Sequence, residues 1–397
     1  MGIPSQYTSD ACISAINSYY HQVLSYGRER RVILDAPIHD QDCLLANLLA
    51  AHFLCSTDPS RAPFHFQAAK SRLEQATSYE KAVFDAINSL ISENRDDDVA
   101  VECHAKLLND YPKDLVSLKR AQLLCFYMGR PDLSLGLVQQ VLSTSSENLR
   151  LTHNWWHVAL CYLEGHASMQ KVLGVYDHHI WKELEGDDAT SPEVYLNALG
   201  LLLRVYVRDT LDVFEDRMKV LADRVKDEAN WHLEWHLDLL ILWALAKTGE
   251  LSKAEDLLKG LKSRICSMNK KKQQRMQRGM LLAEALYEYG RGNNKKALEV
   301  LGPDFDANDC KMIGASDEQL EVFNEVWYDM LLNAGQATKA IEVIEKRIKK
   351  RRSPFHVAPA GNGSDMNILE RGYAMTGRQE AQVAGEKARA LESAYFI

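Results

Sequence analysis

A turn signature repeated in the second half of the chain constrains its fold most strongly. Three glycines, Gly249, Gly292 and Gly335, lie 43 residues apart, and each is followed five residues later by an alanine. Glycine accepts the left-handed conformation that ends many helices, and a small residue lets two antiparallel helices approach closely. The signature therefore predicts stacked helical hairpins, each longer than the roughly 34 residues of the commonest helical repeat units.

Apolar residues around these turns have helical spacing. Leu242 and Leu245 precede the first turn, and Leu258 and Leu261 follow it. Such stripes recur every three to four residues, not every second residue, and favour helix over strand. We therefore predict an all-α fold, an α-α superhelix (solenoid) of tetratricopeptide-like helical hairpins whose first helices line a concave groove.

The predicted organisation has four parts. N-terminal helices occupy 1–80, repeats 81–352, a linker or loop 353–365, and a C-terminal capping hairpin 366–397. The linker is predicted because 353–365 contains two prolines, two glycines and no helical period. The predicted repeat units span approximately 81–114, 115–148, 152–182, 191–229, 231–264, 275–303 and 318–350.

The overall charge and apolar patterning restrict the class of partner. The formal net charge is −8, whereas proteins that bind nucleic acid usually present a basic surface. No apolar stretch approaches the roughly 20 residues that a membrane-spanning helix needs. We therefore expect a protein or peptide partner, with no nucleic acid and no membrane insertion.

The N-terminus and the cysteines indicate a cytoplasmic location. Residues 1–10 are polar and lack the apolar run of a signal peptide. The eight cysteines include no C-x-x-C pair, and most lie in apolar helical stretches, as expected for reduced, buried thiols.

Two segments carry a family resemblance. Thr152–Leu160 (THNWWHVAL) and Val175–Ile180 (VYDHHI) resemble the tetratricopeptide repeat protein 38 family, which shows an H-N-x-W-H-x-A-L helix followed by Y-D-x-H-I. The likeness extends over most of the chain, and it implies the repeat fold while supplying almost no chemistry. Family members usually carry additional helical repeats where Ser143–Arg150 stands here, so the chain is interpreted as a shortened form.

Histidines recur at helical spacing in the middle of the chain. His153 and His157 lie four residues apart, as do His232 and His236, which would place each pair on one helical face. Two such pairs could hold a metal ion, whereas the tryptophans between them favour a ligand-binding groove or ordinary core packing. The candidate ligand- or partner-binding residues are His153, Trp156, His157, His179, His232, Trp235 and His236.

No recognisable catalytic motif occurs in the sequence. It contains no G-x-S-x-G, no glycine-rich phosphate loop and no H-E-x-x-H, so no catalytic residue and no cofactor are assigned. The sequence predicts a non-enzymatic adaptor that binds a protein or peptide partner through its concave groove. The alternative is a metal- or small-ligand-binding repeat protein, including an enzyme, that uses the His/Trp-rich central helices.

Overall fold

A computed structural model describes seven stretches of the chain, within which every regular element is a helix. This confirms the all-α prediction, whereas the superhelical course stays a prediction. The polar N-terminus at 1–8, the bridge at 145–150 and the linker at 353–362 lie outside the described residues, and residues 363–365 belong to a helix. The described residues are 9–24, 29–92, 95–144, 152–165, 167–185, 191–351 and 363–395.

The chain forms two compact units, Met1–Leu149 and Arg150–Ile397. In the first unit α3 packs on α4, α5 on α6, and α7 on α8. The helices of this unit are α1 (Asp10–Leu24), α2 (Ala36–His39), α3 (Leu44–Thr57), α4 (Ala62–Ser71), α5 (Ser78–Ile91), α6 (Asp97–Asp110), α7 (Leu115–Met128) and α8 (Pro131–Thr144), with 3₁₀ turns at Arg30–Asp35 and Leu73–Gln75.

Local side chains set the ends of the helices in the first unit. Thr77 and Glu80 form a capping box at the start of α5, each accepting a hydrogen bond from the other's backbone N–H. Gly129 ends α7 with a φ of 65°, in the left-handed region that glycine tolerates. Pro37 lies in the first turn of α2, where its missing N–H leaves no helical hydrogen bond unmade.

The second unit is also a series of packed helix pairs. Consecutive helices pack in pairs, beginning with α9 and α10 and ending with α19 and α20. Its helices are α9 (Thr152–Glu164), α10 (Met169–Val175), α11 (Ser191–Val207), α12 (Glu215–Val225), α13 (Trp235–Lys247), α14 (Leu251–Cys266), α15 (Lys270–Gly290), α16 (Asn294–Leu301), α17 (Asp317–Asn333), α18 (Ala337–Arg351), α19 (Gly363–Met375) and α20 (Glu380–Tyr395). Shorter helical turns lie at Tyr176–Ile180, Trp181–Glu185, Leu211–Phe214, Glu228–Asn230 and Ala307–Ile313.

The predicted glycine turns are confirmed in this unit. Gly249, Gly292 and Gly335 have φ angles of 84°, 81° and 77°. The alanines that follow them, Ala254, Ala297 and Ala340, are fully buried. A small side chain therefore stands at each place where two helices meet. The 21-residue helix α15 and the 3₁₀ turn Ala307–Ile313 account for the long, 43-residue spacing of these turns.

Helix α17 covers a face that the sequence assigned to an open groove. Helix α11 packs on its neighbour α13 and also on the distant helix α17. Every residue of α17 from Glu318 to Leu332 is buried. One side of α11 is therefore covered by another helix of the same unit. None of the described helices has both the length and the apolar character needed to cross a membrane.

The close approach of α13 and α15 provides a test of this packing. A β-carbon at Gly290 would lie 2.7 Å from Ala246 Cβ and 2.8 Å from the Trp243 carbonyl oxygen. Because backbone atoms cannot move aside easily, Gly290→Ala is expected to lower the free energy of unfolding by about 1–3 kcal/mol, measured by urea denaturation. Gly174→Ala is the control, since a β-carbon there meets nothing within 4 Å. Equal stability of the two variants would contradict this close packing.

Candidate functional site

Four of the predicted site residues lie together in the interior of the second unit. His153, Trp156 and His157 are on α9, and His236 is on α13; all but the half-buried His153 are at most 4% exposed. The Nε2 atoms of His153 and His157 are 3.2 Å apart, so this pair shares one helical face as predicted. His157 Nε2 also lies 3.9 Å from Glu318 Oε2 on α17. Trp156, His157 and His236 are therefore buried inside the unit, whereas a ligand-binding role for these residues stays a prediction.

Helix α11 supplies polar partners that the sequence did not indicate. Asn197 Oδ1 lies 3.4 Å from His153 Nδ1. The guanidinium of Arg204 lies 5.2 Å from the centre of the Trp156 ring, donates to the Gly200 carbonyl at 3.0 Å, and donates to the Glu318 carbonyl. A buried guanidinium thus joins α9, α11 and α17, with its charge held against an aromatic face and backbone carbonyls.

A second arginine, Arg208, directly follows the end of α11, and its side chain is 15% exposed. Arg208 hydrogen bonds to Glu164 on α9, and its Nη2 is 3.5 Å from Glu325 Oε2 on α17. Burial raises the pKa of Glu325 to about 7, although the nearby positive charge of Arg208 opposes the rise. The interior of this unit therefore contains a carboxyl group that titrates near neutral pH.

His236 is a neutral imidazole at physiological pH. Burial lowers its pKa to about 3, and the positive charge of Arg204 adds to the effect. Its Nδ1 has no hydrogen-bond partner within the part of the chain that the structure describes, nor do Trp156 Nε1 and Asn197 Nδ2. Its ring centre lies 5.9 Å from that of Phe323 on α17. His236 is therefore enclosed, and it does not line an open groove.

The prediction that His232 and His236 share a helical face is wrong. Helix α13 begins at Trp235, and His232 precedes it with a φ of 65°. The backbone N–H of His232 donates to Asp238 Oδ1 at 2.7 Å, and this contact fixes the chain outside the helix. Its ring lies over Gly260, where a β-carbon would approach Nε2 to 2.6 Å. His232 therefore has a structural role at the start of α13.

The remaining two candidates contact other residues. Trp235 is half-buried beneath Arg264, whose guanidinium lies 5.0 Å from the ring centre. His179 stacks on Trp155 with ring centres 3.5 Å apart, and burial lowers the pKa of His179. Each of these aromatic side chains is in contact with a neighbour on another element, as expected of residues that pack helices together.

The alternative hypothesis of a metal-binding protein requires a set of ligand side chains, and the described parts of the chain contain none in a suitable arrangement. Within the ranges given above, no group of three or more His, Cys, Asp or Glu side chains is arranged to hold a metal ion. The alternative requires imidazoles from two helices to converge, but the ring of His232 lies against Gly260 and Asp238. Its Nδ1 is 3.6 Å from Asp238 Oδ2.

A cleft in the first unit has the properties of a binding site. It encloses about 1270 Å³ between the turn Arg30–Asp35, α2, the start of α3, and α4. Ile38 on α2 and Phe64 on α4 both line it, and they are 72% and 74% exposed. Among the described residues, these are the two most exposed large apolar side chains. The cleft is therefore a concave surface that carries exposed apolar side chains.

A fixed polar network lies beside these apolar side chains. Asn47 Nδ2 donates to the carbonyls of Gln41 at 2.8 Å and Cys43 at 3.0 Å. Asn47 Oδ1 must then accept from His65 Nδ1, which is 3.0 Å away. Burial, together with the charge of Arg61, lowers the pKa of His65. Neutral His65 therefore presents Nε2 as a hydrogen-bond acceptor.

A short sequence motif marks both apolar walls of the cleft. Ala36–His39 reads Ala-Pro-Ile-His and 62–65 reads Ala-Pro-Phe-His, each at the start of a helix. In both copies the alanine is buried and the residue two positions later is exposed. This repetition is the signal by which sequence reasoning could have found the site. No protein-family model matches the chain.

Proposed function

We propose that the protein is a non-enzymatic helical-repeat adaptor that binds a segment of another protein in the cleft between α2 and α4. One observation carries this proposal: the two most exposed large apolar side chains of the described residues line the same 1270 Å³ cleft. Exposed apolar side chains in a concave site commonly anchor a partner, because binding removes them from water.

The polar network gives the cleft a means to orient a partner. With its Nδ1–H directed to Asn47 Oδ1, neutral His65 has Nε2 as a hydrogen-bond acceptor, and Asn47 is itself fixed by its contacts with the Gln41 and Cys43 carbonyls. A peptide N–H or a side-chain donor would pair with Nε2 while its apolar side chains contact Ile38 and Phe64. The acidic net charge supports a protein partner over nucleic acid.

We propose the same kind of function as the sequence predicts, an adaptor that binds a protein, but a different binding site. Trp156, His157 and His236 are buried against α11 and α17, so we place binding in the first unit. The resemblance to the tetratricopeptide repeat protein 38 family supports the repeat architecture. Free cysteines, eight in the chain, support a cytoplasmic location, where thiols are kept reduced.

Peptide selection followed by mutation tests this function. A random peptide library is selected on the immobilised full-length chain, and binding of the enriched peptides is measured by fluorescence anisotropy. Phe64→Asp and Ile38→Asp are each expected to weaken binding by roughly 10- to 100-fold, because each puts a charge where an apolar anchor must be desolvated.

Val383→Asp is the matched control, since Val383 on α20 is 63% exposed and lies in the other unit. It should leave peptide affinity unchanged. Circular dichroism establishes that all three variants fold. Enrichment of no peptide, or of peptides that bind Phe64→Asp as tightly as the wild type, would reject the cleft as the binding site.

A further inference from the structure

A glycine on α11 leaves a small space on the side of this helix that faces α9. Asn197, Gly200 and Arg204 are three and four residues apart, so they share one face of α11, and α11 packs on α9. A β-carbon at Gly200 would lie 3.8 Å from Trp156 Nε1 and 3.9 Å from Arg204 Nη1. Leu240 Cδ1 bounds the space on another side, also at 3.9 Å. Two nitrogen atoms and one methyl group therefore surround the place of the missing side chain.

The nitrogen groups around this space are hydrogen-bond donors. Trp156 Nε1 and Asn197 Nδ2 cannot accept a hydrogen bond, and neither has a partner within the described part of the chain. Arg204 donates to the Gly200 and Glu318 carbonyls but forms no ion pair with a described carboxylate. Trp156, Asn197 and Arg204 are at most 3% exposed. Buried donors without an acceptor are costly, and a buried guanidinium without a counter-ion is more so.

The histidines of α9 set the orientation of the Asn197 amide. His153 Nδ1 lies 3.4 Å from Asn197 Oδ1, so the Nδ1–H donates to this oxygen. His153 Nε2 then accepts from His157 Nε2, which is 3.2 Å away. Because Oδ1 of Asn197 is engaged in this chain, its Nδ2 is the group that remains to donate, on the same helical face as Gly200.

We propose that a single small monovalent anion such as chloride binds beside Gly200, between Trp156 Nε1, Asn197 Nδ2 and the Arg204 guanidinium. These groups suit an anion better than water, because water must donate its own two hydrogens and they offer no acceptor. The anion also supplies the counter-ion that Arg204 lacks. The space suits one ion and no larger ligand, since Leu240 closes another side.

The nearest carboxylates are directed at other basic groups. The Glu318 carboxylate lies 3.9 Å from His157 Nε2, while its backbone carbonyl accepts from Arg204. The Glu325 carboxylate lies 3.5 Å from Arg208 Nη2. Burial raises the pKa of Glu325 to about 7, so near neutral pH this group carries only part of a negative charge and repels an anion less. Neither carboxylate therefore takes the place of the ion.

His153 provides the route by which the ion exchanges with solvent. It is half-buried, whereas Trp156 is 1% exposed, and the two rings stack with centres 5.2 Å apart. Rotation of the His153 side chain away from Trp156 opens this side of the space without unfolding α9. We therefore expect exchange to be fast compared with unfolding.

Urea denaturation of the full-length chain in chloride and in gluconate, at equal ionic strength, tests the proposal. Gluconate is too large for the space, so the comparison separates binding from salt screening. Above the Kd for chloride, each tenfold increase in its concentration should raise the folding equilibrium constant up to tenfold. Gly200→Ala should remove this dependence, because its β-carbon fits 3.8 Å from the nearest side chain and occupies the place of the ion. Gly174→Ala, whose β-carbon meets nothing within 4 Å, should retain it.

Bromide gives a direct readout of the same site. In crystals grown with bromide in place of chloride, an anomalous diffraction peak should lie within hydrogen-bonding reach of Trp156 Nε1 and Arg204. Trp156→Phe removes the indole N–H and should weaken chloride binding by roughly 10- to 100-fold. Equal stability of the wild type in chloride and gluconate, an unchanged chloride dependence in Gly200→Ala, or a water molecule in place of the bromide peak would each refute the site. These measurements do not involve the cleft of the first unit, so their outcome is independent of peptide binding.

Discussion

Replacing Arg208 with methionine is expected to destabilise the second unit by about 3–5 kcal/mol. Arg208 is the cation between two carboxylates, since it hydrogen bonds to Glu164 and lies 3.5 Å from Glu325. Methionine fills a similar space but provides no charge. The Glu325 side chain is only 2% exposed and would keep its desolvation cost without its partner. Urea denaturation at mildly alkaline pH, where Glu325 is ionised, measures the loss.

An exposed pair provides the control. Arg217 donates two hydrogen bonds to Asp177, at 3.2 and 2.7 Å, but the two side chains are 35% and 32% exposed. Arg217→Met is therefore expected to cost less than about 1 kcal/mol. Adding Glu325→Gln to Arg208→Met should restore part of the lost stability, because one uncompensated charge is removed. Equal losses for Arg208→Met and Arg217→Met would show that burial does not strengthen the Arg208 interaction.

The helical hairpins could be predicted because their signals are local. Gly249 adopts a φ of 84°, which a residue with a β-carbon rarely adopts, and the fully buried Ala254 stands where the two helices meet. Both requirements concern residues close in sequence. The repeated spacing therefore predicts the turns and the helical class without knowledge of any distant contact.

The enclosure of the Trp/His residues could not be predicted, because it depends on contacts between distant parts of the chain. Arg204 and Glu318, which join α11 to α17, are 114 residues apart. An aromatic and histidine-rich helix has the same periodicity whether it faces solvent or another helix. Only the packing of α17 on α11 decides between the two for Trp156 and His157.

The histidine pair at His232 and His236 shows how a periodic pattern can extend past the end of a helix. The spacing of four residues is helical, but the Asp238 side chain accepts a hydrogen bond from the His232 N–H, which competes with helical hydrogen bonding.

The binding cleft of the first unit was not predicted from the sequence for a different reason. Its signal, the repeated Ala-Pro-apolar-His motif, is present in the sequence, but only the structure shows that both copies line one cleft.

Acidification is expected to destabilise the second unit through His236. The pKa of His236 is about 3 in the folded protein, mainly because of burial, against an ordinary value of 6.5. Between these values the unfolded chain binds a proton that the folded chain does not. The free energy of unfolding therefore falls as the pH is lowered, by about 1.4 kcal/mol per pH unit. By about pH 4 this group alone removes roughly 3 kcal/mol.

Protonation of Glu325 has the opposite effect on the free energy of unfolding over part of the same pH range. Its folded pKa of about 7 exceeds the ordinary value of 4.5, so the folded protein holds the extra proton between them and stability rises as the pH falls. The two contributions offset each other in the wild type. Glu325→Gln should therefore steepen the loss of stability on acidification, and His236→Gln should weaken or reverse it. Urea denaturation at a series of pH values measures both slopes. If both variants retained the wild-type slope, neither group could be the origin of the pH dependence.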